Sequence, residues 1–143
     1  FGALTQSLAA TPAAIGANCG VGASELIATV LGITKARPDA NVVAKGNCGI
    51  PQYKDGHMPY TGTPELMADY ARIALDAGAK IIGGCCGTSP EHLASMRKAL
   101  ETYNGGERPS IEEIEKRLGP VSELAKGIDT AAAGAARRER RRG

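Results

Sequence analysis

The stretch Ala79-Lys80-Ile81-Ile82-Gly83-Gly84-Cys85-Cys86-Gly87-Thr88-Ser89-Pro90-Glu91 decides the reading of this chain. A short apolar run enters glycines, then two adjacent cysteines, then Ser-Pro-Glu. Lys80 to Gly84 reads as a buried strand. Ser89-Pro90-Glu91 reads as a helix opening, because serine caps, proline suits the first turn and an acid favours the positive helix end. Neighbours on a strand point to opposite faces, so two adjacent cysteines share one centre only where the strand breaks into a loop. The flanking glycines supply that break.

The same device recurs upstream. Thr63-Pro64-Glu65 opens a helix whose Leu66, Met67, Tyr70, Ile73, Ala74 and Ala77 keep helical spacing, with Gly78 as its stop. Asn41 to Gly46 reads as a strand, and a turn-rich loop with Gly49, Pro51, Gly56 and Pro59 runs from Asn47 to Gly62. Before it, Ala13 to Cys19 reads as a strand, and Ser24 as the cap of a helix to about Lys35 with Leu26, Ile27, Val30 and Leu31 on its apolar face. Downstream, Leu93, Met96, Ala99 and Leu100 line the last helix of the body, and Gly105-Gly106 ends it. A further helix is expected at Ala3 to Ala10.

Strand and helix alternate, so the expected fold is α/β: three βα units with parallel strands joined by crossovers. Such short, almost wholly apolar strands suit a sheet covered on both faces. Each ends in Asn, Cys or Gly: Asn18-Cys19-Gly20, Asn47-Cys48-Gly49 and Cys85-Cys86-Gly87. Parallel α/β folds keep their chemistry at those carboxyl ends.

The chain's 143 residues suffice for one ordinary domain. It begins at Phe1, which reads as processing or as a fragment. Seventeen basic and fifteen acidic residues give a net +2. Arg137 to Arg142 hold five arginines and one glutamate, so the tail carries +4 and the remainder −2. No apolar run reaches membrane-spanning length and no signal-peptide pattern opens the chain, so a cytoplasmic protein is expected, without membrane partners. The arginines lack interleaved aromatics, which favours a solubilising terminus over nucleic-acid binding. Pro109 to Leu118 reads as a short amphipathic helix capped by Ser110, and Gly127 to Gly143 as a disordered Ala/Gly/Arg tail. The division expected is residues 1–104 as the α/β body and 105–143 as helix and tail.

Four cysteines without a secretory signature favour metal or catalysis over a disulfide frame. Cys19, Cys85 and Cys86 lie at strand ends and form a candidate soft-metal set, zinc above all. Three thiolates leave one zinc position open, and a thiol entering it would lose its proton readily. Other readings are a closed structural site using Cys48 as well, or an iron–sulfur cluster. Cys19, Cys48 and Cys85 are 29 and 37 positions apart, which matches no compact finger. Cys48 reads either as a small buried hydrophobe or as a reserve ligand. His92 falls in a first helical turn, where it suits the helix edge better than a metal. His57 lies in the loop framed by Tyr53 and Tyr60.

Gly16-Ala17-Asn18-Cys19 followed by Gly83-Gly84-Cys85-Cys86-Gly87 resembles the homocysteine S-methyltransferase domain. That family includes betaine–homocysteine methyltransferase, S-methylmethionine-dependent enzymes and the homocysteine module of cobalamin-dependent methionine synthase. Gly84 to His92 is especially similar to bacterial members, and the resemblance covers about residues 10–103. It implies a zinc enzyme on a (β/α)8 TIM barrel that methylates the homocysteine thiol to give methionine. It also implies Cys19, Cys85 and Cys86 as zinc ligands, with Asn18 shaping the substrate rim. The methyl donor would be betaine or a similar onium compound, or methyl-cobalamin fed by folate. A whole barrel needs roughly 250 residues. The three units resemble its last strands, so a missing N-terminal half or a homo-oligomer is the expected partner. An inactive or split zinc-binding fragment, or a four-cysteine structural or redox metal protein, is the alternative.

Overall fold

The computed structural model describes residues 13–20, 22–49, 61–122 and 125. The helix expected at Ala3 to Ala10, the loop residues Tyr53, His57 and Tyr60, and the arginine tail lie outside the described residues. The element order is β1 (Ile15–Asn18), α1 (Ala23–Ala36), β2 (Val42–Gly46), α2 (Pro64–Asp76), β3 (Ile81–Gly84), α3 (Pro90–Glu101) and α4 (Ile111–Leu118).

The fold is α/β, with one parallel sheet of order β1-β2-β3. Its register pairs Ile15 with Val42 and Asn18 with Lys45, then Val43 with Ile81 and Gly46 with Gly84. In β2, Val42, Ala44 and Gly46 are buried, while Val43 is half-buried and Lys45 is exposed. The described helices therefore cover one face of the sheet. The expectation of cover on both faces is not met among the described residues. Ile81, on the edge strand β3, is 51% exposed. Leu93 on α3, expected to face the core, is also about half exposed.

The core is built from the helical stripes legible in the sequence. Ile27, Val30 and Ile33 of α1 meet Met67, Tyr70, Ile73 and Ala74 of α2 and Val42 and Ala44 of β2. Each fully buried aliphatic side chain contributes about 1.5–3 kcal/mol. Ile114 and Leu118 of α4, with Val121, belong to the same cluster. An ion pair of Arg117 with Asp69, its Nε at 2.9 Å from the carboxylate, fastens α4 to α2.

Three helix starts follow their residues closely. Thr63 Oγ1 accepts from Leu66 N at 3.2 Å, and Ser110 Oγ from Glu113 N at 3.2 Å. At α3 the Ser89 backbone N–H donates to His92 Nδ1 at 3.0 Å, so His92 serves the helix end. Ser24 does not cap α1. The cap position is Gly22, and Ser24 sits buried inside the first turn, donating to the Pro120 carbonyl at 2.9 Å. A tertiary acceptor claimed the hydroxyl that local sequence assigned to the helix end.

Candidate metal centre

The three strands end at one edge, and the central strand orders what lies beyond it. Cys19 N donates to Lys45 O at 3.0 Å, and Cys85 N to Gly46 O at 2.8 Å. Both cysteine loops are thus hung on β2 by their own backbone. Cys19 then takes φ 64, a left-handed conformation unusual for a residue with a side chain. Gly20 at φ 86 and Gly87 at φ 76 continue the two turns, as the glycine-flanked motifs led us to expect. The left-handed turn ends β1 at Cys19 and aims its thiol across the strand ends.

The result is a cluster of Cys19, Cys85 and Cys86, whose Sγ atoms all lie within 4.8 Å of one another. Cys19 Sγ is 3.8 Å from Cys86 Sγ, and Cys85 Sγ is 3.9 Å from Cys86 Sγ. These are not disulfide distances, and all four cysteines are free. Thiolates at about 2.3 Å from one tetrahedral zinc stand about 3.8 Å apart. The donor set and its spacing therefore fit a zinc ion, with Cys19, Cys85 and Cys86 as the residues able to hold it. Cys86 is exposed and the other two are partly exposed, so the cluster is open to solvent on one side.

Electrostatics favour the thiolate form at Cys19. The hydrogen bond with the Cys86 thiol is the main cause of its lowered pKa, followed by the Gly20 backbone N–H and the Cys85 and Asn47 side chains. Cys48 behaves oppositely. It is 1% exposed and packed in the hydrophobic cluster, and burial pushes its thiol pKa up. It is not in the sulfur cluster; its Sγ lies against Gly62, where an added Cβ would come within 2.6 Å. Gly62 is held there by donating its N–H to Cys48 O at 3.0 Å.

Asn18 is exposed at the end of β1, level with Lys45, beside a shallow depression lined also by Gly16 and Val43. Two residues escaped the sequence reading. Asn47, 1% exposed, donates from Nδ2 to Gly20 O at 2.7 Å and accepts at Oδ1 from Cys86 N at 3.2 Å. Tyr70 is fully buried, and its hydroxyl accepts from Gly46 N at 2.9 Å, supporting β2 from below. The recurrence of Asn-Cys-Gly at two strand ends was the available signal for Asn47. Tyr70 showed only as one apolar position in a helical stripe.

A parallel α/β sheet with a three-thiol cluster at its carboxyl edge defines a candidate soft-metal centre. Residues 1–100 match the model of the family described as Homocysteine S-methyltransferase, and the chain belongs to that family. The match spans all three strands and all three clustered cysteines.

Proposed function

We propose that this chain provides the thiol-activating centre of a zinc-dependent homocysteine S-methyltransferase, which makes methionine from homocysteine. The observation that carries the proposal is the convergence of Cys19, Cys85 and Cys86 in a chain of this family. Cys19, Cys85 and Cys86 would hold the ion, and a zinc ion bound there would leave a position for a substrate thiol and favour its deprotonation.

The remaining work falls to the chain itself. The hydrogen bonds from the Cys19 and Cys85 N–H groups to β2 hold the thiols in place before substrate arrives, which lowers the cost of assembling the site. Three anionic sulfurs make the centre electron-rich, so an arriving sulfur keeps its nucleophilicity. That composition suits attack on carbon better than activation of water, for which neutral ligands leave a metal more acidic. The sulfur lone pair forms the new S–C bond as the donor takes the electrons of the breaking bond. We assign the donor to an onium compound such as betaine, or to methyl-cobalamin, and Asn18 to the substrate rim.

The sheet face left open among the described residues and the exposed Ile81 support a second element of the reading. The three βα units belong to a (β/α)8 barrel whose other units, in a preceding segment or a partner, supply the substrate pocket. Free thiols suit a reducing compartment, which supports a cytoplasmic site of action. No helix among the described residues is long and apolar enough to cross a membrane.

The test is X-ray absorption at the zinc edge on the metal-loaded full chain. Three sulfur ligands rising to four on addition of homocysteine support the proposal. Four sulfurs from the start defeat it in favour of a closed site. Zinc with no response to homocysteine marks an inactive binding fragment.

A further inference from the structure

Three of the four described helices are capped by their own residues: α2 by Thr63, α4 by Ser110, and α3 by the pair of Ser89 and His92. The helix that follows the Cys19 loop is different. Among the described residues no side chain caps α1, whose cap position is Gly22. Its first turn is fastened instead by the chain beyond α4. Ser24 Oγ donates to Pro120 O at 2.9 Å, and the Glu25 carboxylate accepts the Ser122 N–H at 2.7 Å. Between these two contacts, Val121 is 4% exposed in the shared core, and its N–H donates to Glu115 Oε1 at 3.1 Å. Residues 119–122 thus form a strap laid across the start of α1. They lie beyond residues 1–100, which carry the family match.

The start of α1 bears on the thiols because only a short, glycine-rich connector separates it from Cys19. Cys19 turns at φ 64 and Gly20 at φ 86, and Gly22 leads directly into α1. Glycine adds little stiffness of its own, so the connector takes its position from its anchors. Upstream, Cys19 N donates to Lys45 O at 3.0 Å, and the Gly20 carbonyl accepts from the Asn47 amide. Downstream of Gly20, the next anchor is the first turn of α1. An uncapped first turn leaves backbone donors without partners and frays readily. Fraying there would let the Cys19 loop drift from Cys86, whose sulfur is 3.8 Å away.

We propose that Ser24 and Glu25 are positioning residues for the metal centre: they dock the 119–122 strap on α1, and strap docking and metal binding favour each other. The inference rests on the metal-binding reading above. Linkage makes the effect reciprocal. Whatever factor docking adds to metal affinity, bound metal adds to docking, and such couplings typically run about 5- to 150-fold.

The test has two arms on the full chain. In the first, cobalt(II) is titrated against a competing chelator, reading affinity and the sulfur-to-cobalt absorption bands. The double variant Ser24→Ala with Glu25→Ala is expected to bind about 5-fold more weakly or worse. Glu25→Gln keeps an acceptor for the Ser122 N–H and should bind as the unmodified chain does. Thr34→Val is the control, since it removes a hydroxyl that donates to Ala77 O at 2.8 Å at the other end of α1. It should lower thermal stability and leave affinity and bands unchanged. In the second arm, hydrogen exchange of the unmodified chain is followed with and without cobalt. Metal should slow the Val121 and Ser122 amides more than the Gly106 amide, which Asp76 holds at the opposite edge. If the double variant keeps the unmodified affinity, or if metal slows Val121 and Ser122 no more than Gly106, the strap is merely structural and the inference is overturned. If the unmodified chain itself gives no sulfur-to-cobalt bands, the metal reading has failed and takes the inference with it.

Discussion

At the carboxyl edge of the sheet the backbone is tied down, in part by the Asn47 amide, and three thiols stay open to solvent; at the opposite edge charged side chains do the tying. Beyond β1 and β3, the N–H groups of Cys19, Cys85 and Cys86 are all engaged, while the three thiols stay partly or fully exposed. At the other end, the Arg108 guanidinium donates to Leu31 O at 2.8 Å and to Thr34 Oγ1 at 2.9 Å. The Asp76 carboxylate there takes the Tyr103 hydroxyl and the Gly106 N–H, both at 2.6 Å. Accepting the Tyr103 proton's hydrogen bond, Asp76 also raises the pKa of that hydroxyl. One edge spends its polar groups on closing the fold. The other keeps its thiols partly or fully exposed to solvent, at the cost of a left-handed cysteine. Stability and chemistry are thus carried by opposite ends of the same strands.

The sharpest way to break this division is at the thiols. Cys86→Ala should lose zinc on dialysis against a chelator, while Cys48→Ala should retain it, as measured by metal per chain. Loss of zinc from Cys48→Ala would defeat the ligand assignment. Next in size is Ile114→Ala in α4, where the side chain is fully buried in the shared core. It should cost about 2–5 kcal/mol of unfolding free energy in urea. A change near zero would mean that α4 is an appendage to the body. At the closing edge, Arg108→Met should cost about 0.5–1.5 kcal/mol, because it removes the guanidinium hydrogen bonds to the Leu31 carbonyl and Thr34 Oγ1. Its metal content should not change, and a loss there would show that the two edges are coupled.

The smallest effect separates two thiols by pH. In metal-free protein, the lowered pKa of Cys19 means that its thiolate appears at lower pH than that of an ordinary cysteine. Cys48 has a raised pKa and is shielded, so it should be modified only at higher pH or on unfolding. Mass mapping of iodoacetamide adducts across a pH series checks the order. Cys48 reacting before Cys19 would contradict both environments.

Much of this was legible in the residues. Thr63 and Ser110 cap as their side chains suggest, and Gly78 at φ 96 stops α2. The strands expected at Asn41 to Gly46 and Lys80 to Gly84 appear as Val42–Gly46 and Ile81–Gly84. Ser24 was misread because a hydroxyl before an apolar stripe looks the same whether it caps its own helix or reaches Pro120 across the molecule. Asn47 escaped because its two partners, Gly20 and Cys86, are 27 and 39 positions away in sequence.

What the residues determined alone was local: apolar periodicity set strand and helix, glycine permitted the turns, and the cysteines marked a candidate soft-metal set. What required the tertiary structure was distance. Parallel pairing in one register brought Cys19 and Cys86, 67 positions apart, to 3.8 Å, and enclosed Cys48 in the core instead. The reason is physical: side-chain chemistry is written residue by residue, whereas which atoms meet depends on how the hydrogen-bonded sheet and the packed helices close around each other.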